Sequence, residues 1–234
     1  SRLDLRRAPR WPHAPEALPG VGAMAAQVMD VDEERWLRHF CLEAEVEQVL
    51  RWFRDQGFTR PSDFDERVRM ASRLRELGNQ RFQSSEFESA MMHALGALHC
   101  VDFAQGHALL QSDAQKREVT RALAPILSNL SVIFLRRGDA YNAARAADLG
   151  LDRAGRLQQQ LDPEAVPLRA KLLFRRGLAK REQKHFEEAR ADLREAARLQ
   201  PDSREVRVAL DACRAAAAQQ RGEADDAWRG ALTE

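Results

Sequence analysis

Lys171-Leu172-Leu173-Phe174-Arg175-Arg176-Gly177 is a helix-forming stretch that carries two cations, Lys171 and Arg175, four residues apart. At that spacing both side chains project from one face of a helix. The residues that follow place small and apolar side chains where a tight helix hairpin requires them, at Phe186, Ala189, Leu193, Ala196 and Pro201. The stretch therefore predicts the first helix of a hairpin with two cations on one face.

Two earlier stretches of the chain align with this one. Each of the three has a small residue in its first helix and a second small residue twelve positions later. The pairs are Gly78 with Ala90, Ser131 with Ala143, and Gly177 with Ala189. Small residues at this spacing allow the two helices of a hairpin to approach closely. Three matches with shared spacing predict an all-α array of three helix pairs.

Residues from about 68 to 220 resemble the three-repeat domain of tetratricopeptide co-chaperones, especially the large, FK506-binding-protein-like immunophilins. The resemblance implies a tetratricopeptide-repeat superhelix of three helix pairs plus a C-terminal capping helix, which we assign to residues 66–221. It also implies a two-carboxylate clamp, which in that family grips the C-terminal Glu-Glu-Val-Asp of heat-shock protein 90 or 70. The isomerase domain of the immunophilins has no counterpart within these 234 residues.

The clamp pattern of the family can be placed on this sequence residue by residue. It has a basic residue and an asparagine four apart in the first helix, an asparagine in the third, and a lysine and an arginine four apart in the fifth. This chain has Arg75, Asn79, Asn129, Lys171 and Arg175 at those positions. Arg75 departs from the usual lysine, which keeps the charge but changes the shape of the donor group.

The chemistry of these five residues agrees with the resemblance. Three cations and two amides can donate hydrogen bonds to the two carboxylates of a C-terminal aspartate. First helices line the concave face of such repeat arrays, so we expect the five side chains to point into solvent in the free domain. Because arginine is frequent here, basic pairs on solvated helix faces are the alternative interpretation of each pair taken alone.

The spacing between the repeats exceeds the usual unit of about 34 residues. The extra residues fall within 101–122 and 157–169, which predict lengthened helices and loops. After the third repeat, a turn at residues 201–203 opens a helix over 203–221, which we expect to cover the last repeat through Val206 and Leu210. Residues 222–234 then form a C-terminal tail in which Trp228 and Leu232 share one face.

The N-terminal part of the chain falls into two segments. Residues 1–23 are rich in proline and arginine and are predicted to be a disordered tail. Residues 24–60 form a helical segment, with an amphipathic helix over 32–56 that ends at Gly57 and that we expect to pack on the repeats or on an upstream domain. Ser62 or Asp63 then caps the next helix.

Composition argues against several other functions. The chain has 37 lysines and arginines against 36 aspartates and glutamates, a net charge of +1, which favours neither nucleic acid nor a membrane surface. Three widely spaced cysteines indicate no disulfide framework or zinc site and favour a reducing, cytoplasmic location. The sequence has no phosphate-binding loop or nucleophile elbow, and its histidines are scattered. We therefore predict no enzyme activity, no metal and no cofactor.

Two functional interpretations follow from the sequence. The first is a peptide-binding co-chaperone adaptor that recruits heat-shock protein 90 or 70 through its C-terminal tail and brings a client or an upstream domain to it. The alternative is a structural scaffold whose groove holds another acidic segment or a neighbouring subunit.

Overall fold

The computed structural model of the chain describes residues 36–41, 43–103 and 112–231. In this part a short 3-10 helix, Leu37–His39, precedes eight α-helices. The α-helices are α1 (Glu43–Asp55), α2 (Phe64–Gln83), α3 (Phe87–Cys100), α4 (Asp113–Arg136), α5 (Ala140–Gln159), α6 (Ala165–Glu182), α7 (Phe186–Leu199) and α8 (Arg204–Ala231). The tail predicted over residues 1–23 lies outside the described residues and stays a prediction.

Six of the helices form three hairpins, α2 with α3, α4 with α5, and α6 with α7, and α8 packs on α7. The first helices of the hairpins also contact one another in order, α2 with α4 and α4 with α6, and α8 continues this row by contacting α6. The array therefore has one face built from α2, α4, α6 and α8. This face carries the predicted clamp residues.

The small residues hold each hairpin together as the sequence predicts. In all three, the small residue of the first helix lies against the backbone carbonyl of the residue twelve positions later. A Cβ atom added at Gly78 would stand 3.3 Å from the facing carbonyl oxygen, and one at Gly177 would stand 3.2 Å from it and 2.8 Å from Leu193 Cγ. In the middle hairpin the Ser131 hydroxyl donates to the Ala143 carbonyl at 2.9 Å. The predicted pairing is confirmed in every repeat.

The N-terminal segment packs on the first repeat, but its helix differs from the prediction. The sequence predicted one helix over 32–56, whereas the described residues form the 3-10 helix and then α1. The backbone N–H of Trp36 donates to the Asp102 carboxylate at 2.8 Å, and Leu37 is fully buried, so this stretch is held against the repeats. Further on, α1 packs against α3, where the ring of Phe53 covers Gly96.

Several helix ends follow the predicted signals. Of the two candidate caps for α2, Asp63 is the one that acts, and its carboxylate accepts a hydrogen bond from the backbone N–H of Glu66 at 3.0 Å. Gly57 lies in the turn that follows α1 and has a φ of +74°, a left-handed conformation that glycine adopts without strain. The long connections are partly lengthened helices, since α4 has 24 residues and α5 has 20, against 14 in α3.

The last helix covers the third repeat through Val206 and Leu210, both of which are buried. It is longer than predicted, because it continues through Gly222 to Ala231. A glycine inside a helix costs only about 1 kcal/mol, and the alanine, glutamate and arginine residues around Gly222 favour helix. One feature of α8 departs from a simple cap: Val208 is 59% exposed.

Candidate peptide-binding groove

A groove of about 920 Å³ runs along the face built from α4, α6 and α8. Its floor is apolar and combines side chains from all three helices. These are Val132 and Leu135 of α4, Phe174 and Leu178 of α6, and Val208 and Ala209 of α8. An open groove with apolar side chains along it suits an extended peptide better than a compact small molecule.

The charged residues of the groove are mostly basic. Five cations line it, Arg136, Lys171, Arg175, Arg181 and Arg204, against two acids, Glu182 and Glu205. Arg181 pairs with Glu182 at 2.8 Å. Lys171 is exposed and has no ion pair within the described residues. The groove is therefore a local basic site on a chain whose total charge is close to neutral.

The structure brings the two predicted asparagines into direct contact. The Asn129 side-chain amide on α4 donates to the Asn79 amide oxygen on α2 at 2.7 Å. This bond orients both amides, and it leaves the N–H groups of Asn79 able to donate to a ligand. The two residues therefore form a prearranged polar pair between the first and second repeats.

Arg175 on α6 joins the third repeat to α4, next to Asn129. One nitrogen of its guanidinium, Nη1, donates to both the backbone carbonyl and the hydroxyl of Ser128, the residue before Asn129, with 2.5 Å to the hydroxyl. Burial lowers the pKa of Arg175 to about 10, so the side chain stays charged at neutral pH. The prediction that this side chain points into solvent is wrong, because it bridges α6 to α4.

The remaining two predicted residues stand at the ends of this row. Arg75 lies on α2 one turn before Asn79 and is half-buried, whereas Lys171 lies on α6 one turn before Arg175 and is exposed. No hydrogen bond within the described part of the chain joins either of them to the other predicted residues. All five sit on first helices, and the contacts of the middle three link α2, α4 and α6.

Arg176 has a structural role that the sequence did not reveal. Two of its nitrogens donate to the two carboxylate oxygens of Asp192 on α7 at 2.8 and 2.6 Å, and a third donates to Asp148 on α5 at 2.6 Å. Burial opposes its charge, but the hydrogen bonds that Arg176 donates to Asp192 and Asp148 outweigh burial and raise the pKa of Arg176. Arg176 therefore ties α5, α6 and α7 together on the side away from the groove.

Sequence reasoning also missed the groove residues outside the family pattern. Arg136 is the last residue of α4, and Arg204 and Val208 come from α8. The signal that could have found the α8 residues is their four-residue spacing, which places Arg204, Val208 and Ala212 on a stripe different from that of Val206 and Leu210.

Metal binding and membrane insertion are two further possibilities that the described residues bear on. No cluster of three or more histidine, cysteine, aspartate or glutamate side chains suitable for a metal ion occurs among them. One helix, α4, is long and apolar enough to cross a membrane, but 61% of that stretch is buried inside the protein. Its apolar residues serve the core, since Ile126, Leu127 and Leu130 are almost fully buried.

No protein-family model matches the chain, and no curated protein matches it. Solved structures do. One is the C-terminal tetratricopeptide-repeat domain of a Plasmodium falciparum protein described as an FK506-binding protein, which covers 68% of this chain and 95% of that domain with a TM-score of 0.57. The fold is a tetratricopeptide-repeat superhelix. The likeness confirms the predicted fold. Because the sequence identity is only 21%, it carries no information about the clamp residues.

Proposed function

We propose that this chain is a peptide-binding co-chaperone adaptor that recognises the C-terminal Glu-Glu-Val-Asp of heat-shock protein 90 or 70 through a two-carboxylate clamp. The observation that carries the proposal is the basic, apolar-floored groove along α4, α6 and α8, which is lined by Lys171 and Arg175. Arg175 also contacts Ser128, the residue before Asn129, and Asn129 in turn contacts Asn79. A C-terminal peptide with clustered acids and one apolar residue matches both the charge and the floor of this groove.

The donors are arranged for carboxylates. Arg175 uses Nη1 to hold Ser128, which leaves Nη2 and Nε to donate to a ligand oxygen. Lys171, one turn away and exposed, can rotate its ammonium toward a second oxygen. The amide of Asn79 adds neutral donors without adding charge repulsion. These groups supply donors for both carboxylates of a terminal aspartate.

The proposed role is binding and not catalysis, and the proposed location is a reducing cytoplasm. Burial raises the pKa of the thiols of Cys41 and Cys100 to about 12, which makes both poor nucleophiles at neutral pH. A client protein or an upstream domain would use another surface of the chain. The alternative function is a scaffold in which the same groove holds a different acidic segment or a neighbouring subunit.

Lys171→Glu tests the proposal better than a change at Arg175, because Arg175 also bridges α6 to α4. Reversing an exposed charge leaves folding nearly unchanged, but it should weaken binding of a Glu-Glu-Val-Asp peptide by at least about tenfold, which is roughly 1.4 kcal/mol. Calorimetry at low and high salt measures this, and the parent's affinity should fall as salt rises because the groove is open.

Lys116→Glu is the matched control, since Lys116 is an exposed lysine at the start of α4, pairs only locally with Asp113 at 3.1 Å, and does not line the groove. A peptide with an amidated C-terminus removes one carboxylate and should bind the parent more weakly. If Lys171→Glu and Lys116→Glu bind the peptide equally, or amidation has no effect, the clamp is wrong. Binding of acidic segments irrespective of a free C-terminus would favour the scaffold.

A further inference from the structure

The two faces of α8 differ in character. Val206, Ala209, Leu210 and Cys213 are buried, and they pack against α6 and α7. A second stripe with four-residue steps, Arg204, Val208 and Ala212, lines the groove instead. A helix that only caps an array needs a polar outer face, yet Val208 is a large apolar side chain that is 59% exposed.

The packing contacts place this second stripe beside the clamp. Val206 packs with Leu173 and Phe174 of α6, and the next turn of α8, at Ala209 and Leu210, packs near Leu178. The first turn of α8 therefore lies beside the part of α6 that carries Lys171 and Arg175. Val208 lies further along, where it contributes to the apolar floor of the groove.

We propose that α8 is a second wall of the peptide site, in which Arg204 contacts an acidic side chain of the ligand and Val208 packs on an apolar one. The inference rests on the proposed function and adds two residues to it that lie outside the family's clamp pattern. The expected ligand is an extended peptide with a free C-terminal carboxylate, an adjoining apolar residue and further acids upstream.

Charge complementarity supports this ligand. Arg204 is exposed and has no ion pair within the described part of the chain, and the acid beside it in the groove is Glu205. At this end of the groove, Lys171, Arg175 and Arg204 together give three cations against that one acid. An acidic peptide is attracted to such a site, whereas a basic or neutral one is not.

The test measures binding of a fluorescein-labelled octapeptide ending in Glu-Glu-Val-Asp to the full chain. Arg204→Gln should weaken binding by about fivefold at low salt, the size of one solvent-exposed charge contact. Val208→Ala should weaken it by about threefold through lost apolar contact, while alanine keeps or improves the helix. Arg207→Gln is the control, since Arg207 is exposed on the same helix but does not line the groove.

Peptides in which each glutamate is replaced by glutamine identify the partner of Arg204. One of these changes should be non-additive with Arg204→Gln, because both remove the same contact. If Lys171→Glu weakens binding but Arg204→Gln and Val208→Ala bind like the parent, α8 is not a wall of the site and the proposed function stands. If the parent does not bind the peptide, both proposals fall.

Discussion

The ionic network centred on Asp192 gives a sharp test of what holds the third repeat together. Asp192 is 7% exposed and accepts two hydrogen bonds from Arg176, and Lys180 lies 3.4 Å from it. Asp192→Ala removes this shared acceptor and leaves two cations facing a position without charge. Arg176 is 22% exposed, so its charge reaches water only in part.

The size of the effect follows from these contacts. Removing one partner of a buried ion pair costs about 3–5 kcal/mol, because the other charge is left uncompensated. Arg176 keeps its hydrogen bond to Asp148 at 2.6 Å, which retains part of the compensation. We therefore expect Asp192→Ala to lower the free energy of unfolding by about 3 kcal/mol, at the lower end of that range.

Urea unfolding followed by circular dichroism measures this difference, and a loss of that size should move the midpoint by about 1 M or more. Asp211→Ala is the control, since Asp211 pairs with Arg214 at 3.0 Å on the exposed side of α8 and such pairs contribute about 0–1 kcal/mol. Adding Arg176→Met to Asp192→Ala should recover part of the lost stability, because the guanidinium that Asp192→Ala leaves uncompensated is then removed, while Lys180 keeps Glu188 at 3.1 Å and Asp148 is exposed to water. Equal midpoints for Asp192→Ala and Asp211→Ala would refute this account of the network.

Two further predictions concern the last helix and a buried histidine. Truncation after Pro201 removes the buried side chains of α8, of which Val206 and Leu210 alone contribute roughly 3–6 kcal/mol together, and should lower the melting temperature clearly. Truncation after Ala217 should not, because the described side chains beyond it are exposed. Equal melting temperatures for the two truncations would contradict this. Burial, with the nearby charges of Arg60 and Arg67, lowers the pKa of His99 from 6.5 to about 3. Below about pH 6.5 the unfolded chain binds a proton at His99 that the folded chain does not bind. The contribution of His99 to the free energy of unfolding is therefore complete above about pH 6.5 and falls by up to about 1.4 kcal/mol per pH unit below it. His99→Phe should accordingly lose less of its urea midpoint between pH 7.5 and pH 5 than the parent does.

The repeat architecture was predictable from the sequence because it depends on steric demands that single residue types meet. Gly177 is required where a Cβ atom would collide with Leu193, and Ser131 fits because its hydroxyl finds the Ala143 carbonyl. Such contacts recur at a constant spacing, so they leave a periodic trace in the sequence. The caps of the helices, such as Asp63, are similarly local.

The features that the sequence did not predict depend on long-range contacts. Nothing near Trp36 in the sequence indicates that its backbone N–H is held by Asp102, so the break between the 3-10 helix and α1 could not be seen. The helix predicted over 203–221 is too short, since α8 continues through Gly222 to Ala231. The exposure of Val208 depends on how α8 packs beside α6, which the sequence alone does not indicate.

Arg175 and Arg176 show why neighbouring residues of one type need the structure to be told apart. Adjacent positions on a helix point about 100° apart, so one arginine reaches Ser128 on α4 and the groove while the other reaches Asp192 on α7. The sequence places both in one basic run and assigns a ligand role to Arg175 from its spacing to Lys171. In the structure Arg176 neutralises a buried carboxylate, and Arg175 holds a carbonyl with one nitrogen and keeps its other donors for the groove. The same helix therefore fastens the hairpin on one side and presents cations on the other, and substitutions at Asp192 and Lys171 measure these two roles separately.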